Sequence, residues 1–189
     1  METVEPIRDK NHIKAIKINL RSKKNPRDYL LFVMGINCGL RASDLLKLKI
    51  KDLFRNGRVL DCFYIRMKKT NKELKIDIND SMKGALNYYY EKADIKSNDE
   101  YLFKSERSDK PLERVRMHQL INQWVQDIEL DIKAGCHTLR KTFGYQARMK
   151  GKSIDIIQKA LGHRTQEVTK RYIGITDDEV KSLIMNLNL

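Results

Sequence analysis

Cysteine is scarce in this 189-residue sequence, and its scarcity excludes two common ways of stabilising a small protein. The chain has three cysteines, Cys38, Cys62 and Cys136. Their number is odd and none forms a C-x-x-C pair, which fits reduced thiols and argues against a disulfide framework or a structural zinc site. Histidines are also few: His12, His118, His137 and His163. They are not spaced as metal ligands, so the sequence predicts no metal site.

Long apolar runs are absent as well. No run approaches the ~20 residues that a membrane-spanning helix needs. The N-terminal stretch METVEPIRDKNH also lacks the apolar core of a signal peptide. We therefore expect a cytoplasmic protein whose length suits one domain with a substantial buried core.

Acidic residues are fewer than basic ones: the sequence has 25 Asp and Glu against 38 Lys and Arg, which gives a formal net charge of +13. Such an excess on a small protein predicts a polyanionic partner, since fixed cations replace the counterions condensed on phosphates. The plain alternative is a basic surface without a partner. A membrane surface has less support, because no segment combines a long apolar face with a basic stripe.

The spacing of apolar residues predicts that the first part of the chain is helical. Ile13, Ile16 and Leu20 predict an amphipathic helix over residues 7–22. The stretch RDYLLFVMGINC is apolar nearly all round, which indicates a buried helix that ends at Gly39. The stretch ASDLLKLKIKDL predicts another helix, beginning near residue 43.

A short middle region predicts β-structure instead. Asn56-Gly57 is typical of a hairpin turn. Apolar and polar side chains then alternate in two runs: Phe63, Ile65 and Met67, then Leu74, Ile76 and Ile78. We predict a small antiparallel sheet, with KKTNKE as the loop between its last two strands.

Helical patterns return after this region. They lie in MKGALNYYYEKA, in residues 117–128, in HTLRKTFGYQARMKG, in SIDIIQKALG and in DDEVKSLIMNL. Ser153 is a suitable N-cap, and Gly151 and Gly162 suit helix ends. The predicted fold class is α+β, mostly α, with helices around a small antiparallel β-sheet.

Two pairs of residues are weak signals of function when each is taken alone. Arg41 and Asp44 can form an ion pair three positions apart. His137 and Arg140 share one face at the start of a helix, where a histidine and a solvated arginine are also common without any function.

Two further residues have equally plain interpretations. His163 follows the helix-ending Gly162, where a ring nitrogen can bond the last helix carbonyls. Tyr172 alone is more often a packed core residue than a nucleophile, because tyrosine is rarely activated.

The order of these motifs is much more specific than any one of them. The series GLRASDLL, a lysine in a hairpin, HTLRKTFG, LGH and RYIG resembles the tyrosine recombinase (phage integrase) family, from about residue 20 to 175. The resemblance implies the catalytic-domain fold of that family. It also implies a catalytic set, in chain order: Arg41, Lys69, His137, Arg140, His163 and Tyr172.

The sequence does not decide which lysine of the hairpin belongs to the catalytic set, because MKKTNKE contains Lys68, Lys69 and Lys72. Lys69 precedes Thr70 at the expected hairpin tip, and family members often have Lys-Thr there. Strand alternation sends Lys68 and Lys69 to opposite faces, so only one of them can reach a phosphate.

Phosphodiester chemistry explains why these residue types belong together. Two arginines can fork onto the oxygens that gain negative charge during attack. Histidines can donate hydrogen bonds or move a proton, and a lysine can protonate the leaving 5′ oxygen. A tyrosine, with a usual pKa of ~10, becomes a nucleophile when cations stabilise its phenolate. The resemblance implies a 3′-phosphotyrosyl intermediate that needs neither ATP nor a metal.

The resemblance also sets expectations for domains and partners. Typical members carry an additional N-terminal helical domain of about a hundred residues that clamps the DNA, so we expect either an excised catalytic domain or a short stand-alone member. Residues 1–175 are the predicted catalytic domain, with an N-terminal amphipathic helix at 1–22, and residues 176–189 are a C-terminal helical tail. The expected partner is double-stranded DNA. We expect the protein to form a homotetramer on DNA and to be a monomer or weak oligomer when it is free in solution.

Three rival functions remain at this stage. A type IB topoisomerase shares the chemistry and religates the same strand, although LGH followed by RYIG is more typical of integrases. A DNA-binding module or regulator would keep the fold with little activity. A basic RNA-binding protein has little support, because no aromatic-rich strand motif is present.

Overall fold

The protein is described here by a computed structural model, which covers residues 4–66, 73–174 and 185. Its elements, in chain order, are α1 (Lys10–Ser22), α2 (Pro26–Cys38), α3 (Ala42–Leu45), α4 (Ile50–Leu53), β1 (Phe54–Arg55), β2 (Arg58–Val59), β3 (Cys62–Arg66), β4 (Glu73–Asp77), α5 (Asp80–Lys92), α6 (Arg114–Gln126), α7 (Cys136–Met149), α8 (Ile154–Leu161) and α9 (Gln166–Ile173). The fold is α+β and mostly α, as predicted from the sequence. No helix in these ranges is long and apolar enough to cross a membrane.

The β-structure consists of antiparallel hairpins, as expected. β1 pairs with β2 across the Asn56-Gly57 turn, where both residues have positive φ. β3 pairs with β4, with Phe63 opposite Ile76. Within the described residues these are two separate two-stranded pieces rather than one sheet. The loop that holds Lys68, Lys69 and Lys72 lies outside the described residues.

The segment predicted as one helix after Gly39 forms two single turns, α3 and α4. The reason is tertiary pairing: the amide of Ile50 donates to the carbonyl of Glu100, and the amide of Leu102 donates to the carbonyl of Leu48. The backbone between the two turns is therefore extended and pairs with residues 100–102. Its amide and carbonyl groups are not available for the hydrogen bonds of a continuous helix.

Helix α2 is the centre of the main core, since its side chains from Leu30 to Met34 are all buried. It crosses α7 closely at Gly35. A Cβ at this position would lie 2.5 Å from the Leu139 Cδ1 atom, far inside normal contact. Gly39 ends the helix in the left-handed conformation, with φ 61°. The α2–α7 crossing therefore brings the chain that follows Gly39 next to the first turns of α7.

A second, smaller core fixes α8 and α9 against α7. It consists of Ile157, Leu161 and Ile173, with Phe143 and Tyr172 packed at its edge. Ser153 caps the start of α8 and Gly162 ends it at positive φ, as predicted. At Gly144 of α7 a Cβ would lie 2.5 Å from the Ile173 Cγ2 atom, so α9 approaches α7 closely. This contact determines where the end of α9, with Tyr172, lies.

Candidate active site

Arg140 is the buried centre of the candidate site, with 5% of its surface exposed. Its two terminal nitrogens donate hydrogen bonds to the carbonyls of Gly39 and Leu161. These carbonyls lie at the C-terminal ends of α2 and α8, where the helix dipole favours a cation. Arg140 thus joins two helix ends, and its charge and a side-chain hydrogen bond also act on Tyr172.

Arg41 lies beside Arg140 because it directly follows the Gly39-Leu40 end of α2. It is the N-cap residue of α3 and is partly buried. The possible ion pair with Asp44 is not formed. The Arg41 charge instead acts on groups from other helices: after burial and the Arg140 charge, it adds to the lowering of the pKa values of His137 and His163.

Tyr172 is in the last turn of α9 and meets His137 in the first turn of α7. The distance between the Tyr172 hydroxyl oxygen and His137 Nδ1 is 3.1 Å. The Arg140 guanidinium carbon lies 5.8 Å from the centre of the Tyr172 ring. The tyrosine is thus only partly packed in the core, and its polar end faces the other candidate residues.

His163 also packs against Tyr172, with 4.8 Å between the two ring centres. The alternative that its ring caps the preceding helix is wrong. The His163 backbone amide closes α8 by donating to the Gln158 carbonyl, whereas ring atom Nδ1 lies 3.1 Å from the Thr169 hydroxyl. The ring is therefore held by α9 and is turned towards the site.

The charge states follow from burial among cations. Burial, with the Arg140 and Arg41 charges, lowers the pKa of His163 to about 4. Partial burial and four nearby cations also lower the pKa of His137. Both rings are thus neutral near pH 7. Burial raises the pKa of Tyr172, while the charges of Arg140 and Arg41 oppose that rise by favouring the phenolate.

Sequence reasoning missed Lys141 and Thr169. Lys141 is buried, with 6% of its surface exposed, and its Nζ lies 5.4 Å from the centre of the Tyr172 ring. Burial lowers the pKa of this lysine. Thr169 is fully buried beside His163. Lysine next to arginine in a polar helix looks solvated in sequence, and only the packing of α9 onto α7 reveals either residue.

The described residues of the predicted set come together around one tyrosine hydroxyl: Arg41, His137, Arg140, His163 and Tyr172. Lys69 is outside the described residues. In the described part of the chain, no three His, Cys, Asp or Glu side chains are grouped as metal ligands.

A tyrosine hydroxyl among two arginines and two histidines, on a mostly helical domain with small hairpins, defines the class of tyrosine-type DNA strand transferases. Comparison with known proteins agrees. The phage integrase family model matches residues 8–179, and the chain belongs to that family.

Two relatives illustrate the similarity. The probable integrase/recombinase YoeC of Bacillus subtilis is 41% identical over 182 residues, which are 96% of this chain and 96% of that protein. A tyrosine recombinase of Pseudothermotoga lettingae is 30% identical over 158 residues, 84% of this chain but 53% of the relative. The chain therefore matches one relative along nearly its whole length and spans about half of the other.

Solved structures show the same fold. The crystal structure of XerA recombinase matches with a TM-score of 0.77 and 21% identity, over 98% of this chain and 64% of that one. XerH site-specific recombinase, in a post-cleavage complex with a palindromic difH substrate, matches with a TM-score of 0.71 and 18% identity, over 100% of this chain and 54% of that one. At these identities the likeness concerns the fold.

Proposed function

We propose that this chain is a site-specific DNA recombinase that cleaves and rejoins DNA strands through a 3′-phosphotyrosyl intermediate. The observation that carries the proposal is the 3.1 Å contact between the Tyr172 hydroxyl and His137 Nδ1, next to two arginines. The named relatives are recombinases, and none of these observations favours a topoisomerase or a non-cutting binding module.

Binding of the scissile phosphate is assigned to Arg41 and Arg140. Arg140 is already oriented by its two helix-end carbonyls, so little rearrangement is needed when charge builds on the phosphoryl oxygens. Its burial excludes water, which strengthens the attraction to an anion. The +13 charge of the chain favours the approach of DNA.

Proton transfer is assigned to His137 and a lysine. Neutral His137 can accept the Tyr172 proton at Nδ1 as the hydroxyl oxygen bonds to phosphorus. The bond from phosphorus to the 5′ oxygen breaks, and that oxygen takes a proton from the general acid, for which we propose Lys69. The reverse steps rejoin the strand, and the phosphotyrosyl bond conserves the phosphodiester energy.

The domain and partner assignments are also proposals. Residues 1–175 would form the catalytic domain, with an amphipathic helix within 1–22, and residues 176–189 a helical tail. Double-stranded DNA is the proposed substrate. Three free thiols and action on DNA agree with a cytoplasmic location.

A groove between α7 and α8 supports assembly on DNA. It has a volume of about 340 Å³, and its lining includes Ile156, which is 58% exposed, together with Lys150 and Lys152. The tail sequence carries an acidic start at 177–179 and the apolar series Val180, Leu183, Ile184 and Leu187. We propose that the tail of one subunit binds this groove on the next, which would link a tetramer on DNA and leave the free protein a monomer or weak oligomer.

Truncation after Ile175 tests this docking. The expected result is a folded protein that still forms some covalent product and loses its higher-order complexes on DNA. A Lys150→Glu/Lys152→Glu variant should weaken the same complexes in the full chain. A lower melting temperature of the truncated protein without DNA, with unchanged complexes, would instead place the tail on its own domain.

The activity itself is tested with supercoiled plasmids and with nicked suicide duplexes of varied sequence. The proposal predicts SDS-resistant protein–DNA complexes and exchange of strands between duplexes that share a site. Plasmid relaxation without any exchange would favour a topoisomerase. Binding without any SDS-resistant complex would reduce the protein to a binding module.

A further inference from the structure

Thr169 is a fully buried polar residue in the middle of the candidate site, and nothing in the proposed chemistry uses it. It lies on α9 three positions before Tyr172, so both side chains are on the same face of the helix. Its hydroxyl oxygen is 3.1 Å from the Thr165 carbonyl oxygen and 3.1 Å from the His163 Nδ1 atom.

The positions of the Thr169 hydroxyl hydrogen and the His163 ring hydrogen follow from counting donors and acceptors. A hydroxyl has one hydrogen to donate and lone pairs to accept with. If the Thr169 hydrogen points at His163 Nδ1, the contact with the Thr165 carbonyl is left without a hydrogen. If it points at the carbonyl, the hydroxyl oxygen accepts a hydrogen from Nδ1, and both contacts are hydrogen bonds. The second arrangement makes one more bond, so the ring proton belongs on Nδ1.

This arrangement determines what the other ring nitrogen can do. Among the described residues, His163 Nε2 has no hydrogen-bond partner. The charged or titratable groups that face the ring are Arg140 from α7, Arg41 from the start of α3 and Tyr172 from α9. With Nδ1 occupied by Thr169, Nε2 is the nitrogen left for the reacting groups.

We propose that Thr169 is a positioning residue that keeps the neutral His163 ring in the Nδ1–H tautomer and presents Nε2 to the scissile phosphate. The assignment to a phosphate rests on the proposed function, whereas the tautomer does not. Nε2 is then a proton acceptor in the free protein. When the anionic phosphate binds, its charge favours the protonated ring, and Nε2 takes a proton from solvent and donates a hydrogen bond to a phosphoryl oxygen. Without the Thr169 hydroxyl the ring is free to flip or to move its proton to Nε2.

Nitrogen NMR of the free protein tests the tautomer without DNA. The protein is labelled with ¹⁵N-histidine, the signals of residue 163 are assigned by their loss in His163→Gln, and two-bond ¹⁵N–¹H couplings identify the protonated nitrogen at neutral pH. We expect Nδ1–H in the natural protein and in Thr169→Ser, and a mixture or Nε2–H in Thr169→Val. An Nε2–H tautomer in the natural protein, or an unchanged tautomer in Thr169→Val, would overturn the inference.

Cleavage of a suicide substrate tests the consequence with a matched pair of variants. Thr169→Val keeps the shape and loses the hydroxyl, and Thr169→Ser keeps the hydroxyl and loses a buried methyl group. Thr169→Val should lower the rate of adduct formation by about tenfold or more, as the loss of a partner that orients a functional histidine usually does. Thr169→Ser should stay close to the natural rate and rescue the tautomer.

The opposite order, with Thr169→Ser the slower variant, would mean that the site needs packing rather than the hydroxyl. Equal rates for the natural protein and Thr169→Val would also overturn the inference and leave the proposed function intact. If the natural protein forms no adduct with any DNA, the proposed function fails, and the NMR result alone decides the role of Thr169.

Discussion

The Tyr172 hydroxyl oxygen lies 3.1 Å from the Nδ1 atom of His137, a residue 35 positions earlier in the chain. His137 belongs to the first turn of α7 and Tyr172 to the last turn of α9. They meet because α8 and α9 fold back on α7 around the small core of Ile157, Leu161 and Ile173. A nucleophile and a candidate base are thus brought together within one chain.

The close contact between α7 and α9 makes Gly144 a sensitive position. In Gly144→Ala the new Cβ would lie 2.5 Å from Ile173 Cγ2, so α9 must move and carry Tyr172 away from His137. We expect a lower melting temperature and at least a severalfold loss of covalent capture, since overpacking costs about 1–3 kcal/mol. Gly84→Ala in α5 is the control, because nothing lies within 4 Å of its Cβ. Equal behaviour of the two variants would mean that α9 is not fixed by this contact.

Replacing either arginine should slow cleavage strongly, but only one of the two replacements should also destabilise the folded protein. Arg41→Ala and Arg140→Ala should each slow cleavage by roughly 10²-fold or more, as lost transition-state donors do. Only Arg140→Ala should also lower the melting temperature clearly, because the carbonyls of Gly39 and Leu161 lose their donors. Cleavage and thermal unfolding of both variants are the measurements. A fully active Arg41→Ala variant would remove that residue from the site.

Local patterns predicted most of the described helices, although α1 begins at Lys10 rather than at residue 7. Apart from residue 185, the predicted tail helix at 176–189 lies outside the described residues. The apolar surface of α2 and its stop at Gly39, and the Ser153 and Gly162 ends of α8, depend on residues next to one another in sequence. The break between α3 and α4 could not be predicted, because it depends on pairing with residues 100–102.

The candidate site shows the same limit. The order of the motifs indicated the residues, but two features depend on contacts between distant helices. One is the place of Arg140 between the ends of α2 and α8, and the other is the bond from His163 to Thr169. Neither has a signature in sequence spacing.

The general acid is tested by changing the leaving group. Lys69→Ala should slow cleavage of a normal 5′-oxygen substrate much more than cleavage of a 5′-sulfur substrate, because a thiolate leaves without a proton. The ratio of the two rates is the measurement, with Lys68→Ala and Lys72→Ala as matched controls. Equal losses of cleavage rate on both substrates would mean that Lys69 is not the general acid.

The depressed pKa of His163 predicts how acid affects stability. Its pKa falls from an ordinary 6.5 to about 4 on folding, so the unfolded chain binds a proton more readily between these values. Stability therefore decreases as the pH falls through this window, and the effect is absent above it. We expect the melting temperature of His163→Gln to fall less than that of the natural protein between pH 6.5 and pH 4. Parallel pH curves for the two proteins would contradict the burial of a neutral ring.

Identification of the covalently modified residue tests the central claim most directly. The natural protein is trapped on a suicide duplex, the adduct is digested with nuclease and protease, and the nucleotide-bearing peptide is sequenced by mass spectrometry. We predict a nucleotide on Tyr172. We also predict that Tyr172→Phe forms no adduct, because the nucleophilic hydroxyl is lost. Its affinity for DNA should stay within a few-fold of that of the natural protein, because many cations supply the affinity. An adduct that persists in Tyr172→Phe, or a nucleotide on Tyr145, would contradict the account.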